Sequence, residues 1–405
     1  MEKMGLALEG VKVVELSSFV AAPSCAKLLA DWGAEVIKIE PVQGDNLRFV
    51  GNVYNSPASD EENPMFELEN GNKKGVAINT RSEKGKEVLG RLLKDADIFI
   101  TNVREKALER SGLSYGQLKD KYPSLIHAHI LGYGECGPLK DKPGFDYTAY
   151  FARGAVSTSL MEKGTSPANT NAGFGDHYAG ISLAAGILAA LHRKTQTGKG
   201  DRVTVSLYHT AIFGMGLMIT TAQYGNEMPL SRRTPNNPLA TTYRCKDDRW
   251  IQLALLKYDA WFPKFCKEVI NRPELAEDER FNTQAEVVKH VETFVGIMEE
   301  EMIKKDLDEW AELLDKADVP YEKLQTCEDI LEDEQAWAND YLFKKTYKSG
   351  NTGVLVNTPV KFSEAGIKEY ESAPRVVGED TEKILMNLGY SKEEIEEMRK
   401  EKAIR

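Results

Sequence analysis

The chain has 405 residues, of which 41% are hydrophobic and 28% are charged, and its formal net charge is -11. This length predicts two or three domains and a large buried core. The acidic balance argues against general binding to nucleic acid or to an anionic membrane, so a polyanionic ligand would need a local cluster of cations.

The first half of the chain alternates predicted strands and helices. Residues 11–16 form a short apolar run typical of a buried strand, and residues 22–32 predict a helix. Pro23 lies in its first turn, where proline is tolerated, and Gly33 ends it before a second strand at 34–40. This βαβ pattern predicts a mostly parallel α/β sheet.

The same alternation continues to about residue 223. The residues from Thr80 to Glu83 resemble a capping box for a helix that runs to about Lys94. Three further strands are predicted, at 97–102, 125–131 and 202–207. Three further helices are predicted, at 105–111, 176–194 and 209–223.

The pattern changes after residue 225, so we place the end of the first part of a large domain there and expect a small α+β domain over 226–335. Residues 232–239 are rich in proline and asparagine and predict a loop, and 243–253 predict a hairpin that turns at Asp247 and Asp248. Charged amphipathic helices are expected at 257–270, 285–304 and 307–316. From residue 337 strands and turns return, followed by two charged helices after 379.

The first strand-to-helix junction, residues 15–23, occupies the place where a nucleotide-binding loop is expected. It has no GxGxxG and no GxxxxGK[ST] pattern. A simple strand-to-helix turn is therefore favoured, and a loop that binds the pyrophosphate of NAD is not expected. Cations that could meet phosphates include Lys38, Lys73 and Lys74. Arg104 and Arg110 are favoured over these lysines because they follow a predicted strand end.

A second feature is the string Gly173-Phe-Gly-Asp176 before an apolar helix. On the local pattern alone, Asp176 is best interpreted as an N-cap. The same position would place its carboxylate at the positive end of the helix dipole, where it is expected to stay ionised and able to act as a nucleophile. His177 adjoins it, but neighbouring helix residues point in different directions, so no relay between the two is expected.

Other candidate features indicate no metal site, disulfide or membrane span. His127 and His129 share a face of a predicted strand, but no nearby carboxylate completes a ligand set. The five cysteines are scattered without a CxxC pair or an evident activating base. The N-terminus lacks a signal-peptide pattern, and the apolar run 179–191 is too short for a bilayer and predicts a buried helix. A cytoplasmic protein is therefore expected.

Several strings, in register over the first 210 residues, resemble the class III CoA transferases, the family of formyl-CoA and carnitine-CoA transferases. Three more strings resemble the branch of this family that ferments amino acids; they lie at 64–74, 145–154 and 331–341. The family strings are GVKVVEL (10–16), GAEVIKIE (33–40), NKKG (72–75), DIFITN (97–102), GYG (132–134), GD (175–176) and GKGDRVTV (198–205).

The resemblance implies a Rossmann-like large domain built from both chain ends, so that residues 336–405 return to it, and an interlocked homodimer. Asp176 matches the catalytic aspartate of the family. Arg104 is added to the predicted CoA contacts because it follows a predicted strand end. The matched CoA-binding positions are Val20, Ala21, Asn102, Arg110 and Tyr133.

Two departures from the formyl-type relatives concern the covering loop and the phosphate contacts. Where those relatives have a glycine-rich loop over the site, this chain has residues 234–239, TPNNPL. Where they have cations near CoA, it has Pro41 and Leu131.

The implied reaction moves CoA from a 2-enoyl-CoA (isocaprenoyl-CoA) to an (R)-2-hydroxy acid, 2-hydroxyisocaproate first, through an aspartyl anhydride and an aspartyl-CoA thioester. No permanently bound cofactor is implied, since the CoA thioester is a substrate. A phenyllactate-type transferase is the alternative. A 2-methylacyl-CoA racemase is disfavoured because Phe145, in Gly144-Phe145-Asp146, replaces the proton-shuttling histidine and leaves Asp146 a structural role. A regulatory protein that binds a CoA ester is disfavoured by Asp176 and its glycines.

Overall fold

The computed structural model describes residues 5–405, which divide into two compact units. The large unit contains residues 5–156 together with 169–219 and 334–405. The small unit contains 157–168 and 220–333. The sequence places the boundaries at 225 and 335, and no sequence pattern indicates that 157–168 belongs with the small unit.

A parallel six-stranded sheet forms the centre of the large unit. Its strands are β1 (Lys12–Leu16), β2 (Glu35–Glu40), β3 (Lys74–Ala77), β4 (Ile98–Thr101), β5 (Ile126–Leu131) and β6 (Arg202–Ser206). The strand order is β3-β2-β1-β4-β5-β6, which is the doubly wound Rossmann order. The predicted α/β fold class is confirmed, and the order reverses between β1 and β4.

The remaining strands form two antiparallel sheets. In the small unit, the strands are β7 (Thr242–Arg244), β8 (Trp250–Leu253) and β9 (Tyr321–Lys323), paired in the order β7-β8-β9. This sheet contains the predicted hairpin, with Asp248 in a left-handed conformation (φ 62). In the large unit, β10 (Leu342–Thr346) and β11 (Thr352–Val356) pair as a hairpin.

The α-helices occupy most of the predicted positions. In chain order they are α1 (Ala21–Asp31), α2 (Pro64–Asn70), α3 (Glu83–Lys94), α4 (Glu105–Ser111), α5 (Tyr115–Leu118), α6 (Val156–Ser159), α7 (Phe174–Thr197), α8 (Leu207–Gly214), α9 (Gly216–Ala222), α10 (Tyr258–Lys264), α11 (Glu274–Glu277), α12 (Gln284–Val287), α13 (Val291–Met302), α14 (Leu307–Lys316), α15 (Cys327–Leu331), α16 (Glu334–Ala338), α17 (Thr381–Asn387) and α18 (Lys392–Lys400). Short 3-10 or π-helical segments are Asn46–Phe49, Gly51–Tyr54, Asp146–Ala152, Phe265–Val269 and Val288–His290.

The large unit has one apolar core on each face of its sheet. Val13 of β1 lies in the core that contains α1 and α7, whereas Val14 lies in the core with α3, α17 and α18. The two differ because successive side chains of a strand point to opposite faces. The small unit has a separate core around Phe262, Phe294 and Trp310.

Three local predictions are wrong. The cap of α3 is Ser82, whose Oγ accepts a hydrogen bond from Gly85 N–H at 3.0 Å, rather than Thr80. The predicted helix at 209–223 is interrupted at Met215 and forms α8 and α9. The helix expected to begin at Asp176 begins at Phe174.

Helix α7 is longer than the apolar run 179–191 suggests. Within the described range 5–405, it is the one helix whose length and composition would allow it to cross a membrane, a test that core helices also pass. Ala179, Leu183 and Ile187 on one of its faces are buried in the core with α1. The predicted buried helix is therefore present, with one face in the core.

Candidate active site

The carboxyl ends of β1 and β4 meet where the strand order reverses, which is the position at which doubly wound sheets bind ligands. Asn102, just after β4, bonds the backbone of Ser18 twice. Its Oδ1 accepts from Ser18 N–H at 3.2 Å, and its Nδ2 donates to Ser18 C=O at 2.8 Å. Asn102 thus holds the turn after β1 in place, and its predicted contact with CoA remains a prediction.

A fully buried cluster of charges supports the same turn. Lys38 lies 3.0 Å from Glu15 and 2.9 Å from Asp45, and Lys73 lies 2.8 Å from Glu15. Asp45 also accepts the N–H of Phe19 at 3.1 Å, and Phe19 has the left-handed φ of 63. The backbone of Phe19 is therefore fixed by the cluster.

Lys38 and Lys73 are consequently not available to CoA phosphates, which corrects the sequence-based suggestion. Burial alone would raise the pKa of Glu15, but the charges of Lys38 and Lys73 outweigh burial and lower this pKa to about 2. Lys74 is exposed and pairs with Glu35 at 2.8 Å. Sequence alone does not distinguish these three lysines, because burial depends on the tertiary packing.

Helices α1 and α7 approach closely near their N-termini. A Cβ on Gly180 would lie 2.1 Å from Ser24 Oγ and 3.0 Å from Ala21 C=O, so only glycine fits at this crossing. Val20 is the N-cap of α1, and its Cγ1 lies 3.9 Å from the position of a Cβ on Gly173. The crossing therefore brings Val20 and Ala21 to the helix end that carries Asp176.

Asp176 lies in the first turn of α7 and is not its cap. The cap position is Gly173 (φ 90), whose N–H donates to Asp146 Oδ2 at 2.8 Å. Gly175 has no room for a side chain, since a Cβ would lie 2.2 Å from Tyr150 Cγ and 2.4 Å from Asp146 Oδ1. Asp146, from the π-helical segment Asp146–Ala152, thus anchors the turn that presents Asp176.

The ionisation of Asp176 differs from the expectation. Burial, assisted by the negative charge of Asp146, raises its pKa to about 7. A helix dipole contributes about 0.3–1 kcal/mol, which is less than one pKa unit and too little to offset this burial. The carboxylate is therefore a stronger base than an ordinary aspartate and is half protonated near pH 7.

His177 pairs with Glu69 rather than with Asp176. Its Nε2 lies 2.8 Å from Glu69 Oε1, with the Glu69 side chain 5% exposed and the His177 side chain 47% exposed. Although burial lowers the pKa of His177, the hydrogen bond and charge of Glu69 outweigh it and raise this pKa. Sequence reasoning missed this pair because helix α2, which carries Glu69, was not predicted.

Exposed aromatic side chains belong to the same segments as the two aspartates. Phe145, Tyr147 and Phe174 are exposed. The Tyr147 hydroxyl lies 3.5 Å from that of Tyr54, and this contact, with burial and the nearby acidic charges including Asp176, raises the Tyr147 pKa. An apolar substrate group would find contact surface there.

The remaining predicted CoA contacts follow β4 and β5 in the chain. Arg104 is the N-cap of α4 and Arg110 lies in its last turn; both are exposed, and neither forms an ion pair within residues 5–405. Tyr133 packs against Tyr208, with ring centroids 6.5 Å apart, and Lys142 lies over its ring. No hydrogen bond in the described part of the chain joins these three residues to Asp176, and their roles remain predictions.

Two histidines of β5 contact the backbone on either side of helix α4, the helix at which these arginines lie. His127 Nε2 lies 3.1 Å from Leu113 C=O, and His129 Nε2 lies 2.8 Å from Val103 C=O. Burial lowers the pKa of His127 to about 4, so that its ring is neutral. The described residues contain no cluster of three or more His, Cys, Asp or Glu side chains able to hold a metal ion.

Three of the five cysteines are buried and two are exposed. Burial raises the pKa of Cys25, raises that of Cys245 to about 11 and raises that of Cys266 to about 12. These three thiols are therefore protonated and poor nucleophiles at neutral pH. The exposed thiols are Cys136 and Cys327.

Comparison with known proteins gives matches over nearly the whole chain. The model of CoA-transferase family III matches residues 8–381. The chain is 69% identical to (R)-2-hydroxy-4-methylpentanoate CoA-transferase of Clostridioides difficile, covering 98% of this chain and 99% of the relative. It is 48% identical to cinnamoyl-CoA:phenyllactate CoA-transferase of Clostridium sporogenes, covering 100% of this chain and 98% of the relative. The crystal structure of a CAIB/BAIF family protein from Brucella suis superposes with a TM-score of 0.83 at 27% identity, covering 95% of this chain and 100% of that protein.

Proposed function

Since this chain belongs to CoA-transferase family III and is a CoA-transferase, we propose that it moves CoA from a 2-enoyl-CoA to an (R)-2-hydroxy acid. The observation that carries this proposal is the 69% identity to a relative named for (R)-2-hydroxy-4-methylpentanoate, which is 2-hydroxyisocaproate. The acceptor we propose is therefore this branched aliphatic acid, and the donor is isocaprenoyl-CoA. The relative named for phenyllactate, at 48% identity, supplies the alternative acceptor.

In the mechanism we propose, Asp176 forms and resolves two anhydrides. Its carboxylate attacks the donor thioester and expels CoA thiolate, which leaves a mixed anhydride. The thiolate attacks the aspartyl carbonyl, releasing the donor acid and forming an aspartyl-CoA thioester. The acceptor carboxylate attacks this thioester, forming a second anhydride and freeing the thiolate again. Attack of the thiolate on the acceptor carbonyl yields the new acyl-CoA and restores Asp176.

The geometry of the site supports this role for Asp176. Its raised pKa makes the carboxylate a more basic nucleophile than an exposed aspartate. The N-terminus of α1, beginning at Ala21 without a side-chain cap, supplies backbone N–H groups suited to a thioester oxyanion. The glycine at 180 keeps this helix end next to α7. No cofactor beyond the substrate CoA enters the proposal.

The proposed acceptor is tested by comparing kcat/KM for 2-hydroxyisocaproate, phenyllactate, isocaproate and oxalate with one acyl-CoA donor. We expect 2-hydroxyisocaproate to be preferred. Its preference over phenyllactate will be modest, because an apolar pocket separates alkyl groups by only about 1–3 kcal/mol per methylene. A clear preference for phenyllactate would show that the chain is a phenyllactate-type CoA-transferase, which is the alternative. A preference for oxalate would contradict the proposal.

The pH dependence should report the raised pKa of Asp176. Because only the ionised carboxylate attacks, kcat/KM for the acyl-CoA donor should rise with pH and be half-maximal at about 7. Asp146→Asn removes a negative charge that raises this pKa, so the midpoint should move to lower pH. A pH-independent wild-type rate between about pH 5.5 and 8.5, or an unchanged midpoint in the variant, would contradict the assignment.

We also propose that the chain forms an interlocked homodimer. Large apolar side chains are exposed on the large unit, including Leu188 of α7 and Phe213 of α8, which favours a partner surface over them. Light scattering is expected to give about twice the chain mass of 45.2 kDa, unchanged on dilution. A folded and active species of 45.2 kDa would contradict this proposal.

A further inference from the structure

A cavity of about 390 Å³ lies in the large unit beside the residue that follows the proposed nucleophile. It is bounded by α1, α2, α7, the end of β11 and the segment that follows β11. Its apolar lining consists of Leu28, Leu68, Ile181, Val356 and Pro359. A mostly apolar cavity of this size with a few polar groups is typical of a small-ligand site.

Most polar groups that line this cavity are already engaged within the large unit. Lys27 is ion-paired with Asp31, Ser24 Oγ donates to Ala21 C=O at 2.9 Å, and Asn357 Nδ2 donates to Asp340 C=O at 2.6 Å. These side chains therefore have few hydrogen bonds to offer to a ligand.

Two polar atoms in the lining differ from these. The Oγ1 of Thr358 is buried and has no hydrogen-bond partner in residues 5–405. His177 uses Nε2 for the contact with Glu69, whereas its Nδ1 has no partner among the residues that the structure describes. A buried polar atom without a partner, such as Thr358 Oγ1, is uncommon in proteins, and the half-exposed ring of His177 offers Nδ1 as a second polar atom. The lining therefore indicates a ligand that carries a polar group as well as an apolar one.

The position of the imidazole relates this cavity to the reacting carboxyl group. A Cβ on Gly173 would lie 3.6 Å from His177 Cε1 and 3.7 Å from Nδ1, so the free edge of the ring lies over the first turn of α7. Asp176 belongs to that turn. In a 2-hydroxy acid the hydroxyl is attached to the carbon next to the carboxyl group, so the group that binds it must lie close to the nucleophile.

We propose that the cavity holds the branched alkyl chain of the 2-hydroxy acid and that His177 Nδ1–H donates a hydrogen bond to its 2-hydroxyl group. Because Nε2–H already donates to Glu69, this second donor exists in the imidazolium form of the ring, which the Glu69 carboxylate stabilises. This inference rests on the proposed function and adds the residue that distinguishes a hydroxy acid from its unhydroxylated counterpart. Glu69 is the positioning residue, because its buried carboxylate holds Nε2 and orients the ring. A site built around such a bond rejects the analogue that lacks the hydroxyl more strongly than an apolar wall does.

The test compares two amide variants that occupy different parts of the imidazole. His177→Gln places its amide near the position of Nε2, which keeps a partner for Glu69 but removes the donor at Nδ1. His177→Asn places its amide near the position of Nδ1 and keeps that donor. The measurement is kcat/KM for 2-hydroxyisocaproate and for isocaproate, which differ only in the hydroxyl group.

We expect His177→Gln to lower kcat/KM for 2-hydroxyisocaproate about 10- to 100-fold and to change that for isocaproate little. His177→Asn should retain most of the preference for the hydroxy acid. Equal losses with both acids, or no loss, would overturn the inference by showing a structural role or none. Thr358→Val is the matched control; a hydroxyl-specific loss in this variant alone would assign the recognition to Thr358 instead.

The apolar part of the inference has its own variant. Ile181→Trp fills the cavity and should lower kcat/KM for 2-hydroxyisocaproate relative to that for 2-hydroxypropanoate, which has no branched chain. An unchanged ratio would show that the alkyl chain lies elsewhere. If wild-type protein fails to use any 2-hydroxy acid, the proposed function itself fails; if wild type is selective and the His177 and Ile181 variants are equally selective, only this inference fails.

Discussion

Replacing Asp176 with alanine is expected to lower kcat for CoA transfer by at least about 1,000-fold, because the variant has no carboxylate to form the anhydride and the thioester. Folding should survive this change. Asp176 does not cap α7, and its raised pKa means that the folded state disfavours the ionised carboxyl. Above pH 7 the ionised Asp176 therefore opposes folding, and its removal should leave the free energy of unfolding unchanged or higher.

The control for this prediction is Asp176→Asn, which keeps the shape of the side chain and removes its charge. Both variants should show the circular dichroism and urea midpoint of a folded protein while transfer is lost. Transfer at near wild-type rate by either folded variant would contradict the assignment of Asp176.

Replacing Lys38 with methionine is expected to give the largest loss of stability. Lys38 is fully buried between Glu15 and Asp45, at 3.0 and 2.9 Å, so its loss leaves two acidic side chains buried with fewer cationic partners. Removing one member of such a cluster costs about 3–5 kcal/mol of the free energy of unfolding. The backbone of Phe19 depends on Asp45, so CoA transfer should fall as well.

Lys74→Met is the matched control, since Lys74 is 46% exposed and pairs with a similarly exposed Glu35. An exposed ion pair contributes about 0–1 kcal/mol. Urea denaturation of both variants measures the difference directly. If the two variants lose the same free energy of unfolding, the buried cluster does not stabilise the turn after β1 as we infer.

The strand and helix positions of the large unit were largely predictable, because the periodicity of apolar residues and the glycines that end helices are local features of the sequence. Helix α4 begins and ends at the predicted residues, and β2 differs by one residue. Strand β3 was missed because it has only four residues, KGVA, and one of them is glycine. Helix α2 was missed because its string, PMFELEN, is short and has little periodicity.

The candidate site was predictable as a motif but not as an environment. Asp176 was identified as a candidate by its match to the family's aspartate, since its glycine context alone favoured an N-cap. Its burial and the nearby charge of Asp146 depend on tertiary packing. Glu69 and His177 are 108 residues apart, and no sequence pattern places them in contact. Of the three lysines considered as phosphate ligands, Lys38 and Lys73 are buried and Lys74 is exposed. The sequence does not show this difference, because burial depends on the tertiary fold.

The most direct test of the central claim is to identify the covalent CoA adduct. The protein is incubated with an acyl-CoA donor and no acceptor, and its intact mass and peptide map are measured by mass spectrometry. We predict that CoA becomes attached through a thioester to the peptide that contains Asp176, that hydroxylamine releases it, and that Asp176→Asn forms no adduct. Attachment at another residue, or the same adduct in Asp176→Asn, would contradict the assignment of Asp176 as the covalent carboxylate.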